Sequence, residues 1–567
     1  MAMKLPRMTS TPLWVVLPAM LTLVYACTRV AYPLDFWHQV ATGHLIWQQG
    51  EVPAHDTFSY AIDGQPVVNQ NWLAQLAMYL LYRWGGFPLA QFVAGLCYAA
   101  AILIITRLAW RRSADVLIGC GPGVDPQCRV VVDRDRCGES VLIACGLGVV
   151  AMAMAMSNLT VRPQALSVLL FAAELFALYQ WPGRWRTVGV VAGAELLWTN
   201  THGAFPLGIV LPGAFLVANV WVAVHGSAGD WSIFRREGLP CGKDVGRKHG
   251  PVPSRAGTWQ SVCATGLRQV LSDRVVRVDL AAVLAGLAAM FCNPRPGKTL
   301  DYVFGVVSRA PQRQIDEWLP TSTGDHAAIA YAASIALVLV VLGLSRKRLR
   351  PVDLLLLVSF AVLGNRAQRM ILWWGLVLAA VLAPQVAAVL RSWRGGRARP
   401  AKGDMLPQRS ISNFATLLVL VAFTAMCTPW TRQYNPLLPP SKRQAYADDE
   451  PRQVVRYLQT AGYRGHVFCP MEWSAYFVWF LRPNVTTLVD ARIDFFPDEV
   501  WAEYVEVGRG GRRWQEILQK YDVDLVVWDR RWTAALPKEL GESARWKKVF
   551  EDPLSIAFRR VDPSPGG

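Results

Sequence analysis

The residues best suited to chemistry are Asp35, His38 and Thr42, in Tyr32-Pro33-Leu34-Asp35-Phe36-Trp37-His38, directly after a membrane-length apolar run at 12–31. An ionisable side chain at that depth is costly unless it faces water, a partner or a substrate. In a helix the spacing i, i+3, i+7 puts Asp35, His38 and Thr42 on one face. Asp35 can cap such a helix through its side-chain oxygen. A carboxylate beside a low-dielectric boundary is also a candidate general base for an acceptor hydroxyl. His38, one turn on, can orient that acid, share its proton or contact a phosphate.

Other polar residues recur at helix ends. Asp56, in His55-Asp56-Thr57-Phe58-Ser59, has the setting of an Asx turn. Asn200 and His202, in Thr199-Asn200-Thr201-His202-Gly203, end an apolar run; they suit a polar cavity or bonds between helices. Arg366 and Arg369 share a helix face, and a planar guanidinium matches phosphate oxygens, so this pair suits an anionic ligand. Arg162, before Pro163, is a third cation of this kind, and Asp316 and Glu317 lie in a further polar connector. Asp35, His38, His55 and Asp56 are metal-ligand types, yet no HExxH-like spacing accompanies them. No cofactor is expected, with a divalent metal as the lesser alternative. P-loop, GxSxG and CxxC patterns are absent from the sequence.

The elements that must position these residues are membrane spans. The composition is 53% hydrophobic and 17% charged, with a mean hydropathy of +0.24. Soluble domains carry about 25% charged residues. Apolar runs near 12–31, 87–108, 140–157, 163–180, 187–201, 204–224, 279–292, 327–344, 351–364, 370–390 and 412–428 predict about eleven spanning helices. The net charge of +17 is topological. Its clusters (Arg107 to Arg112, Arg184 and Arg186, 235–277, Arg346 to Arg350, Arg391 to Lys402) all fall on one side, as the positive-inside rule requires. A nucleic-acid partner is therefore not expected, while membrane lipids are. The N-terminus is assigned to the cytoplasm and the C-terminus to the outside, in a multi-pass membrane protein.

The membrane domain is expected over 1–429. It has a first outer loop at 32–86 and inner insertions at 109–139 and 225–278, both rich in Arg, Gly and Pro. The outer loop reads as a surface helix over Asp35–Gln49, a turn region, and an interfacial helix over Trp72–Trp84 that feeds the second span. The 24 tryptophans suit interfacial anchoring. The eleven cysteines form no disulfide framework, and Cys469 stands alone in the exported region. From 446 to 567 the composition becomes that of an exported α/β domain. Strands are expected at 466–469, 486–490 and 523–528, with helices at 451–462, 497–506 and 511–520 and a largely parallel sheet.

These residues together resemble a bacterial group of GT-C-type membrane glycosyltransferases, related to the protein O-mannosyltransferases and lipopolysaccharide-core sugar transferases. The resemblance rests on Asp35-Phe36-Trp37-His38 through Gly43, Gly50-Glu51-Val52-Pro53, Asp56-Thr57-Phe58-Ser59 and Asn71-Trp72-Leu73 in the first loop. It extends to Val161-Arg162-Pro163-Gln164, Trp198 through Gly203, Asn293-Pro294, Asp316-Glu317-Trp318, Asn365-Arg366, Val489 through Asp494 and Tyr521 through Val526. It implies a polytopic α-helical fold, a sugar donor on a polyprenyl phosphate, and an acceptor on the outer side of the membrane. It also implies that Asp35 is the catalytic acid of the first loop. Better-known relatives carry a paired Asp-Glu there, and Phe36 stands at the second position here. The alternative reading is a non-catalytic membrane assembly protein whose exported domain binds a partner. A transporter ranks below both, because the acids cluster outside rather than at mid-membrane.

Overall fold

The computed structural model describes residues 9–30, 34–117, 138–225, 270–312, 316–321, 326–394, 410–444, 449–492, 495–532 and 535–561. Most of both inner insertions, at 118–137 and 226–269, lies outside the described residues. Helices occupy all eleven apolar runs: α1 (Ser10–Thr28), α3 (Trp72–Leu117), α4 (Gly138–Ala155), α5 (Gln164–Gln180), α6 (Arg186–Trp198), α7 (Pro206–His225), α8 (Arg274–Met290), α10 (His326–Leu344), α11 (Pro351–Arg366), α12 (Ile371–Trp393) and α13 (Ile411–Met426). Among the described residues six helices are long and apolar enough to cross a membrane by length and composition. Within the bundle, α2 (Leu34–Gln49) after α1 and α9 (Thr299–Gln312) after α8 stand outside these runs.

The centre of the bundle is α12, apolar on all sides and buried almost throughout, with Trp373 and Trp374 fully enclosed. A helix without a polar face must be surrounded, and α3, α4 and α11 surround it. The Trp72–Trp84 segment is continuous with the following span, with a kink where Gly85 and Gly86 leave helical dihedrals (Gly86 φ +65°). Close crossings use small residues. A methyl group on Gly43 of α2 would overlap the carbonyl of Gln75 in α3, so these two backbones touch.

The C-terminal region is a five-stranded sheet flanked by short helices, in the order β2 (Val485–Thr487), β1 (Gly465–Phe468), β3 (Leu525–Asp529), β5 (Ser555–Arg560), β4 (Trp546–Glu551). The pairs β1–β2 and β1–β3 are parallel, as the alternation of strands and helices predicts. The last two strands form an antiparallel hairpin that the sequence reading does not include. Helix α14 (Arg452–Thr460) precedes β1, and α15 (Met471–Leu481) links it to β2; α16 (Asp498–Gly508) and α17 (Trp514–Lys520) link β2 to β3.

The sheet region is joined to the helical bundle through the loop after α1. Helix α2 packs between α3 and α15, with Trp37 edge-on to Tyr476 and Phe480 at 5.7 and 5.1 Å. Beyond α2 the chain lies along β2. Ser59 pairs in parallel with Thr487, Tyr60 N donates to Thr487 O (3.2 Å), and Ser59 Oγ donates to Leu488 O (2.6 Å). Part of the first loop is thus bridged to the edge strand of the C-terminal sheet.

Candidate active site

Asp35 lies in the first turn of α2, at the end of the bundle where α1 stops and α4 turns into α5. That turn is held by hydrogen bonds to its carbonyls. Arg29 Nη1 donates to Met156 O (2.8 Å) and Ser157 O (3.0 Å). Tyr98 Oη bonds Asn158 O (3.0 Å) and Thr160 O (3.2 Å). Gln91 Nε2 in turn donates to Ala26 O and Arg29 O, both at 2.9 Å, which satisfies carbonyls that the end of α1 leaves open.

The result places Arg162 between two acids. Its Nε is 2.8 Å from Asp35 Oδ2, and its Nη1 bonds Glu317 Oε1. The side chains of Arg162, Asp35 and Glu317 are 26%, 30% and 39% exposed, so the cluster is open to a ligand and partly shielded from water. Asp35 raises the pKa of Arg162 above its ordinary value, and Glu317 adds to this against the opposing effect of burial. Burial works against the charge of Glu317, but Arg162 and Arg369 outweigh it and hold the carboxyl below its usual range. Arg369 is anchored over the Trp318 ring at 4.6 Å. Phe36 is buried against Trp37, Tyr82 and Phe87. The second acid near Asp35 is therefore Glu317, from a distant connector.

A cavity of about 140 Å³ opens beside this cluster. It is lined by polar Arg29, Asp35, Arg162 and Glu317 and by apolar Ala26, Val30, Phe87 and Ala94. Such a site suits a ligand with an anionic head and a hydrocarbon portion. Arg29, Gln91 and Tyr98, which line it, escaped the sequence reading. Each sits in or at the end of an apolar run, where a single polar residue reads as a helix contact.

The other residues singled out in the sequence lie elsewhere. His38 and Asp56 do not reach the cavity. Their side chains enter a buried network with Asp490 and Arg492, which follow β2. Arg492 Nη1 is 2.5 Å from Asp56 Oδ1, its Nη2 is 2.5 Å from Asp490 Oδ2, and its Nε is 3.0 Å from Asp490 Oδ1. His38 Nε2 lies 3.9 Å from Asp490 Oδ2. Burial, reinforced by Arg492 and opposed by Asp490, lowers the His38 pKa to about 3. Asp56 Oδ2 accepts from Phe58 N (3.1 Å) and Ser59 N (2.9 Å), the geometry of an Asx turn. Helix α2 presents Asp35 and His38 in different directions because its two flanks face different neighbours.

Asn200 joins three segments. Its side chain accepts from Trp72 Nε1 (2.7 Å) and donates to Leu196 O and Cys292 O, both at 2.8 Å. His202 Nδ1 lies 3.0 Å from Ser167 Oγ, and burial together with Arg369 and Arg162 lowers its pKa to about 3. Arg366, at the end of α11, is exposed. No three metal-ligating side chains converge among the described residues. Asp35 and Glu317 are joined to each other through Arg162.

No family model matches this chain, and no curated protein matches its sequence. Among solved structures it is similar to the archaeal oligosaccharyltransferase AglB from Archaeoglobus fulgidus in complex with an inhibitory peptide and a dolichol-phosphate. The identity is 12% and the TM-score 0.49, over 91% of this chain and 69% of that one. The apo form of the Archaeoglobus fulgidus oligosaccharyltransferase gives 12% identity and a TM-score of 0.45 over the same shares. Likeness this distant does not carry function from one chain to the other.

Proposed function

We propose that this protein is a membrane glycosyltransferase that moves a sugar from a polyprenyl-phosphate donor to an exported acceptor. The observation that carries this reading is the cavity at Asp35, whose lining combines acids and arginines (Arg29, Asp35, Arg162, Glu317) with apolar side chains (Ala26, Val30, Phe87, Ala94). The polar lining suits a sugar phosphate, and the apolar lining suits the first isoprene units.

In this reading the acceptor hydroxyl attacks the anomeric carbon while the bond from that carbon to the phosphate oxygen breaks, inverting the centre. Asp35 takes the hydroxyl proton, and the departing phosphate keeps the electron pair of the broken bond. Arg162, Arg369 and Arg29 stabilise that phosphate as its charge grows. Arg162 is occupied by Asp35 and Glu317 in the structure. An entering phosphate competes with both carboxylates for the guanidinium, which frees Asp35 to act as base. Donor binding and activation of the base are then one event.

The reading is tested by purifying the protein and identifying retained lipids by mass spectrometry, then assaying transfer from polyprenyl-phosphate sugars. A retained polyprenyl phosphate and transfer abolished by Asp35→Asn support it. Transfer unchanged in Asp35→Asn removes Asp35 from the mechanism.

A further inference from the structure

Two glutamates far from the cavity have no role in this scheme. Glu174 lies in the middle of α5 and Glu195 in the last turn of α6, and both are fully buried. None of their four carboxylate oxygens has a hydrogen-bond partner. The two side chains point at one place on α7. A methyl group on Gly208 would overlap Glu195 Oε2 and come within 3.3 Å of Glu174 Oε1 and 3.2 Å of the Trp198 ring. The absence of a side chain at Gly208 leaves the space into which both carboxyls project.

The charged groups Arg112, Asp353 and Asp279 on the surrounding helices have other partners, and Trp198 Nε1, on the ring beside the pair, is unpartnered among the described residues. At the far end of α5, Tyr179 and Arg112 bond Asp353 of α11 at 2.6 and 2.9 Å. Between α7 and α8, Asn219 donates to Asp279 at 2.7 Å. No ion pair joins any of these groups to either glutamate among the described residues. The charged group whose field reaches Glu174 is Glu195 itself. Two desolvated carboxylates without hydrogen bonds or a counter-charge cannot both be ionised; such a pair neutralises by taking up protons.

A second feature links the pair to the rest of the bundle. Ser167 precedes Glu174 by seven residues, about two turns earlier on α5, and His202 follows Glu195 by seven residues, in the turn beyond the end of α6. Ser167 and His202 bond each other at 3.0 Å, so the same two chain segments are joined again at a second polar pair. His202 is in turn within the electrostatic reach of Arg369 and Arg162.

We infer that Glu174 and Glu195 form a proton-binding site inside the helical bundle, with at least one of the two held as the neutral acid at neutral pH. The site is independent of the glycosyl-transfer reading and stands if that reading fails.

The test uses the full-length protein in lipid nanodiscs. Infrared titration reads protonated carboxyl groups through their C=O stretch, and dicyclohexylcarbodiimide, which attacks buried carboxylic acids, is mapped by mass spectrometry. The expected result is a carboxylic-acid band at neutral pH that falls in E174Q and E195Q, with carbodiimide adducts on Glu174 or Glu195. A wild-type protein without such a band at neutral pH overturns the proposal, as does a band unchanged in both variants. Carbodiimide protection by sodium at constant pH also overturns it and assigns the site to a metal cation instead. Because the wild-type titration alone can reject the proposal, misfolding of either variant does not shelter it.

Discussion

Arg162 Nε lies 2.8 Å from Asp35 Oδ2, joining the turn before α5 to the first turn of α2. The same guanidinium holds Glu317, so one cation keeps two carboxylates at the mouth of one cavity. Both acids have side chains partly open to water.

Replacing Asp35 by Asn keeps the side-chain shape and removes the base. Transfer is expected to fall by about 10²–10⁴-fold, the usual contribution of a positioned general base, with membrane insertion unchanged. Arg162→Lys is expected to weaken transfer as well, because an ammonium cannot serve two carboxylates, or a phosphate, through a planar fork. Single-turnover rates with a polyprenyl-phosphate sugar check both.

The Glu317 carboxyl is held below its ordinary range, so it binds protons less readily folded than unfolded. Its contribution to stability is therefore present above the unfolded value of about 4.3 and is lost as pH falls through the depressed folded value. Glu317→Gln is expected to lower stability at neutral pH and to flatten the acid limb of the stability curve. Thermal unfolding between neutral and acidic pH measures this, and parallel curves for the two proteins would reject it.

Arg492→Leu leaves Asp56 and Asp490 buried without their shared cation. Removing one partner of such a network costs about 3–5 kcal/mol. The sheet region is expected to loosen from α2, exposing the loop around Ser59 to protease. His38, with its pKa lowered to about 3, adds an acid sensitivity of its own. Its folded form resists protonation, so its effect on stability is complete above about pH 6.5 and erodes as pH falls toward the folded value. His38→Gln is expected to remove that component; unfolding curves across mildly acidic pH show whether it does.

Gly43→Ala tests the contact between α2 and α3. The added methyl meets the Gln75 carbonyl, which belongs to a backbone and cannot swing aside. Overpacking of this kind costs about 1–3 kcal/mol. Because Asp35 rides on α2, transfer is expected to fall more than stability does. A cross-link between cysteines placed on α2 and α15 would report the displacement.

Hydropathy alone located the apolar helices, because burying or lipid-facing segments must lack charge along their length, and this one-dimensional property survives without a fold. A helix after α1 and the strands of the parallel sheet were legible through local periodicity, but that helix packs between α3 and α15 and does not lie on a surface. The hairpin of β4 and β5 was not, although Asp552-Pro553 marks its turn, since β4 carries exposed Lys547, Lys548 and Glu551 and shows no apolar run.

Partner choice was decided only in three dimensions. Asp35 and His38 share a helix, yet one meets Arg162 beside the cavity and the other meets Asp490 in a network closed by the C-terminal sheet. Helical spacing says which residues share a face; it does not say what packs against that face. Nor does sequence separation reveal that Glu317 joins Arg162 or that Glu174 and Glu195 converge over Gly208. Those meetings depend on how α1, α3, α5, α6 and α7 cross. The crossings are set by close packing of many small contacts, which no short motif encodes.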